Sequence, residues 1–248
     1  ETEDETAPGE ESLDVGPPVP NRLLLAISES VLVRATVGTC EAPGTFEISG
    51  DGGETWSESE AFAESGATQV LRVLVGGGAS SILVVANDAQ CEPRLFGTDA
   101  RADAWYQAGS AGMAWYLDPS SPREIGTPDG LRDVPCEAVS LAAVGSRAAL
   151  LCADSSVITS ADRGATWSDP IDVPMAVAIN VADSEGYIVA LANHDGCRGI
   201  RTATIRDGAL DTPGECLESG PVVGGDFAVA HIADEVILWA PDAFIYHR

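Results

Sequence analysis

Apolar residues fall in short, closely spaced runs along this chain. Examples are "RLLLAIS" (22–28), "VLVRATV" (31–37), "VLRVLV" (70–75), "SILVVA" (81–86), "VSLAAV" (139–144), "AALLCA" (148–153), "VAINVA" (177–182), "YIVALA" (187–192), "FAVAHIA" (227–233) and "EVILWA" (235–240). The runs are of strand length, rich in Val, Ile and Leu, and broken by Gly, Pro, Asp and Asn. That is the pattern of β-strands joined by tight turns. No segment shows the periodicity of an amphipathic helix, so the pattern predicts an all-β chain.

The runs also recur in phase. "ILVVAND" (82–88), "ALLCAD" (149–154), "IVALANHD" (188–195) and "VILWAPD" (236–242) each close an apolar strand on a small residue and then an Asp. "AWYLD" (114–118) is a fifth version, and "VLVRATVGTC" (31–40) a sixth without the Asp. About one strand later a Ser/Thr-led turn follows, at Ser49, Thr98, Thr127, Ser160 and Thr204. A meander of about four strands repeated every ~40–50 residues predicts a β-propeller of about six four-stranded blades, one of them short. The propeller is expected over residues 21–248 as a single domain. Residues 1–20, "ETEDETAPGEESLDVGPPVP", read as an acidic, Pro-rich tether, partly disordered. Within it, Ser12–Pro20 is the spare segment that would supply a closing strand to the last blade.

Composition narrows the function classes. The formal net charge is −26 and the chain contains no lysine. Binding to nucleic acid needs clustered cations and is excluded on that ground, and anionic membrane surfaces are disfavoured. Six cysteines without CxxC or Cys/His spacing point to disulfides in an oxidising compartment rather than to a metal centre. No cofactor is implied. No apolar run reaches the ~18 residues of a membrane span. The chain reads as the processed form of an exported protein, extracellular or on the cell surface. Its leading tether is of the kind that follows a cleaved signal or a lipid-modified cysteine before residue 1.

Two segments carry a family resemblance. "SGDGGETW" (49–56) and "SADRGATW" (160–167) both match S-x-D-x-G-x-T-W. This pattern resembles the Asp-box, or BNR repeat, of sialidase, sortilin and photosystem-assembly-factor propellers. The lysine-free composition, rich in Ala, Gly, Asp and Arg, resembles that of exported actinobacterial proteins. The resemblance implies that Ser49, Asp51, Gly53, Thr55 and Trp56, with Ser160, Asp162, Gly164, Thr166 and Trp167, fasten blades structurally. The rival reading is a calcium loop, which Arg163 in the second copy opposes.

In an up-and-down meander, the turns between strands 2 and 3 lie on the face opposite the Asp-box turns. That face collects Asp88, Asp118, Asp154, Asp195 and Asp242. They read either as a carboxylate ring for a cation or basic partner, or as duplicated turn residues. It also collects the cysteines, for which Cys136–Cys152 and Cys197–Cys216 are the local pairs and Cys40–Cys91 joins adjacent blades. The pairs Trp105/Tyr106 and Trp115/Tyr116 read as a recognition patch or as core. A sialidase would need three substrate arginines, an Arg-Ile-Pro-like segment and a Tyr/Glu pair. The arginines of "PNRLLL", "LVRATV" and "VLRVLV" do not fit, and none of Tyr106, Tyr116, Tyr187 and Tyr246 has an identifiable Glu. The expected function is a non-enzymatic, exported scaffold or accessory subunit. It would bind a protein or envelope partner, such as a membrane complex, through the disulfide-bearing face. The alternative is a glycan-binding or sialidase-like propeller.

Overall fold

A computed structural model describes residues 21–76, 81–99, 101–218, 222, 227–233 and 235–240, and the backbone of 244–247. The first antiparallel sheet holds β1 (Arg22–Ala26), β2 (Leu32–Thr36), β3 (Phe46–Ser49) and β4 (Ser57–Glu58). A five-residue helix, α1 (Glu60–Glu64), follows; it is too short to leave a periodic signal, and Ser59 caps it by accepting from Phe62 N–H. The second sheet holds β5 (Val70–Val75), β6 (Ser81–Asn87), β7 (Pro93–Asp99) and β8 (Tyr106–Ser110). The third has only β9 (Tyr116–Leu117), β10 (Glu124–Thr127) and β11 (Gly130–Asp133). The fourth holds β12 (Ala138–Val144), β13 (Arg147–Cys152), β14 (Ser156–Ser160) and β15 (Ile171–Asp172). The fifth holds β16 (Ala176–Val181), β17 (Tyr187–Ala192), β18 (Gly199–Arg206), β19 (Ala209–Leu210) and β20 (Leu217–Glu218). The last holds β21 (Ala228–Ile232), β22 (Glu235–Trp239) and β23 (Phe244–His247).

Each sheet packs face to face on the next, so the core is divided among the inter-sheet layers of a β-propeller. Phe46, Phe62 and Ile82 fill the layer between the first two sheets. Leu151, Ile179 and Val189 fill that between the fourth and fifth. The ring closes where Leu24 and Leu32 meet Ile237 and Trp239. Asn180 bolts this seam from β16, donating to Leu24 O at 3.2 Å and Val229 O at 2.6 Å. Arg34 stacks there on two rings, 4.2 Å from Trp56 and 5.2 Å from Trp239, while its Nε donates to Glu47 at 2.8 Å.

The expectation of about six blades is corrected to five. β1, β5, β12, β16 and β21 are the inner strands of five blades. The third sheet lacks its own. Chain that should form it, between Ser110 and Tyr116, is spent on one 3-10 turn, Ala111–Met113. β9 occupies the pore position instead, beside β5 and β12. It is the equivalent of a second strand: the turn after it carries Asp118, and the next turn carries Thr127 and Asp129. Arg163 Nη1 donates to Asp129 at 3.2 Å, which puts that second turn on the same face as residues 160–167. The proposed closing segment, Ser12–Pro20, lies outside the described residues, as does the rest of the tether.

Candidate functional site

The two faces of the ring are built differently. On one, three disulfides join loops: Cys40–Cys91, Cys136–Cys152 and Cys197–Cys216, with Cα separations of 5.7, 5.8 and 5.5 Å. The first ties the second-to-third strand turns of adjacent blades together, and the other two tie such loops to the links between sheets.

On the opposite face stand the two Asp turns. Asp51 Oδ1 accepts from Ser49 Oγ at 2.7 Å and from Thr55 N at 2.9 Å; Oδ2 accepts from Thr55 Oγ1 at 2.6 Å. Gly53 N donates to Ser49 Oγ at 2.7 Å. The second turn repeats this. Asp162 accepts from Ser160 Oγ at 2.9 Å, Thr166 N at 2.9 Å and Thr166 Oγ1 at 2.7 Å. Gly53 and Gly164 have φ of 90° and 77°, the left-handed region glycine tolerates. Bonds from the following threonine, first its hydroxyl and then its N–H, hold each carboxyl down to a pKa of about 2. Both oxygens of each acid are committed to its own turn. One difference remains: Trp56 Nε1 donates to Gly53 O at 3.1 Å, whereas Trp167 Nε1 is buried without a partner among the described residues.

Of the five aspartates expected on the disulfide face, the four among the described residues each have their own local surroundings. Asp88 accepts from Gln90 N, Glu92 N and Arg94 Nε. Burial raises its pKa, but the bonds from Glu92 N, Arg94 and Gln90 N outweigh it and hold the carboxyl below its ordinary value. Asp118 accepts from Ser120 N and Oγ, and Asp154 likewise from Ser156. Asp154 is lowered, chiefly by the Ser156 hydroxyl. Asp195 is exposed, 3.6 Å from His194 Nδ1, and Asp242 lies outside the described residues. Among the described residues no three His, Cys, Asp or Glu side chains converge as metal ligands.

The aromatic pairs do not form one exposed patch. Trp115 and Tyr116 are buried, because Trp115 Nε1 donates to Gly145 O at 3.0 Å and Tyr116 lies against Gly126, where a Cβ would come within 1.9 Å of its ring. Trp105 packs on Phe46 and Phe62, and only Tyr106 is exposed.

Sequence reasoning missed the feature at the centre. The pore encloses a cavity of about 680 Å³, lined by the inner strands, Met113 and Trp115. Arg72 reaches into it from β5, past the place of the missing inner strand, to β12. Its Nη2 donates to Ala143 O at 2.7 Å and its Nη1 to Leu141 O at 3.4 Å. Its Nε is buried without an acceptor. Burial pushes this guanidinium down to a pKa of about 10, so it stays charged at neutral pH. The only signal in the sequence was an arginine inside an otherwise apolar run, "VLRVLV".

No protein-family model matches the chain, and no curated protein matches it. Solved structures share its architecture. The Aleuria aurantia lectin, in complex with alpha-methyl-L-fucoside, superposes with a TM-score of 0.55 at 10% identity, covering 92% of this chain and 93% of that one. AofleA from Arthrobotrys oligospora gives 0.57 at 12% identity, covering 94% and 85%. YCF48 bound to a D1 peptide gives 0.32 at 17% identity; the match covers 92% of this chain but 65% of that one. At these identities the likeness to the first two concerns the propeller fold alone.

Proposed function

We propose that this chain is a non-enzymatic, exported propeller that binds a protein partner at the cell envelope as a scaffold or accessory subunit. The observation that carries this reading is the bracing of one face by all three disulfides. Cross-linked loops are pre-organised, so less entropy is lost when they dock. The bonds themselves fit an oxidising compartment. Exposed Glu41, Glu92, Glu137 and Glu215 each adjoin a cysteine of that face. The partner surface they fit is basic. No helix among the described residues is long and apolar enough to cross a membrane. Asp51, Asp88, Asp118, Asp154 and Asp162 are each engaged in hydrogen bonds of their own turns, which counts against the glycosidase reading for those five carboxylates.

Recovery of partners from native envelopes with the tagged chain tests this. A single stoichiometric protein is expected, released by moderate salt and lost with the triple variant Glu41→Lys, Glu92→Lys, Glu215→Lys. Recovery of no protein, together with saturable binding on a glycan array, overturns it.

A further inference from the structure

Among the described residues, the cation in the pore has no counter-charge. Arg72 is 9% exposed, and no carboxylate pairs with it among the described residues. Isolating a buried charge in this way is costly, and here it occurs in a chain with three times as many acids as arginines (39 against 13). Its two bonds to β12 carbonyls use part of a five-donor fork, and Nε has no acceptor. Asp118 is the sole acid among the described residues lining the cavity, and Ser120 occupies its Oδ1.

Above Arg72, the mouth on the Asp-turn face is apolar. Val75 at the end of β5, Val144 at the end of β12 and Met113 between them all line the cavity, yet are 49%, 45% and 63% exposed. Apolar side chains that ring an opening and stay wet mark a surface that something covers. A volume of about 680 Å³ is that of an ordinary small-molecule pocket.

We propose that the central cavity binds a small monocarboxylate with an apolar body, its carboxylate on the Arg72 guanidinium and its hydrocarbon against Val75, Met113 and Val144. The ligand supplies the acceptor that Nε lacks and the counter-charge that none of the described residues provides. Its body covers the lip. The ligand contacts named here lie away from the disulfide-bearing loops, so failure of this proposal leaves the scaffold reading intact, and the converse also holds.

Calorimetric titration of the whole chain with sodium octanoate, octanol and inorganic phosphate tests the proposal. One octanoate is expected to bind per chain and to raise the Tm. Octanol and phosphate should each bind at least ~10-fold more weakly, as should octanoate to Arg72→Gln. If Arg72→Gln does not fold, Val144→Asp on the exposed lip places a like charge beside the entering carboxylate. It should lose octanoate affinity by a similar ~10-fold with an unchanged Tm in the absence of ligand. Absence of saturable octanoate binding overturns the proposal. So does octanol or phosphate binding as tightly as octanoate, or a folded variant that retains full affinity.

Discussion

The two faces of this ring are held by different chemistry. On one, loops are joined by sulfur–sulfur bonds. On the other, turns are fastened by carboxylates that accept hydrogen bonds from their own backbone and hydroxyls. Asp51, Asp162 and Asp183 are each held to a pKa of about 2, and all three stand on this second face. For Asp183 the leading cause is Arg206. One face therefore carries all three disulfides and answers to reductant, whereas acid acts on turns of both faces, Asp88 and Asp154 being lowered as well, and most strongly on the second. A duplicated blade can be secured at each end by a bond suited to a different stress.

The largest break in this symmetry should come from sulfur. Replacing Cys136 and Cys152 together by Ala frees a loop of sequence separation 16. It should cost about 3 kcal/mol in urea unfolding, at any pH between 5 and 8. Unchanged stability in the double variant would mean the loop is held by its hydrogen bonds alone.

Next comes acid. A carboxyl whose folded pKa is depressed contributes stability that is fully present above its unfolded value near 3.8 and is lost as pH falls toward about 2. The Tm should therefore fall across that window in the oxidised protein. The double variant Asp51→Asn, Asp162→Asn should show a shallower fall, since Asn does not titrate. At pH 7 the same variant should melt a few degrees lower than the parent. Parallel melting curves for the two proteins from pH 4 to 2 would remove the turns as the acid-sensitive element.

The smallest expected effect separates the two Asp turns themselves. Trp56→Phe removes a hydrogen bond to Gly53 O and should cost about 1 kcal/mol. Trp167→Phe removes an indole N–H that has no acceptor, and should be neutral or slightly stabilising. A larger loss at Trp167 would mean that its N–H has a partner in solution.

The repeat was legible because strands and turns are local: an apolar run closing on Asp, and a Ser-x-Asp turn, can each be read within ten residues. The blade count was not. "AWYLD" has the ending of a second strand, and nothing in the letters says that the strand before it is absent; only tracing Ala111–Met113 as a single turn shows it. The burial of Trp115 and Tyr116 was equally hidden, since it depends on Gly126 in the neighbouring strand and on Gly145 in the turn after β12. Arg72 is the clearest case. Its significance is that no carboxylate among the described residues pairs with it, a long-range fact that no local pattern encodes. The sequence reading also directed attention to the disulfide face, whereas the apolar lip of the pore opens on the other.

The seam between the first and last blades carries one more consequence. Two of the five tryptophans, Trp56 and Trp239, sit against the guanidinium of Arg34, and Arg22 lies 4.8 Å from the Trp239 ring. Trp105 packs between the first and second sheets, and Trp115 and Trp167 between the third and fourth, away from that junction. An indole's emission depends on adjacent charge, so parting of the first and last blades changes the light from two rings and leaves that from the other three. The protein thus carries a built-in optical gauge of its own ring opening, readable without any label.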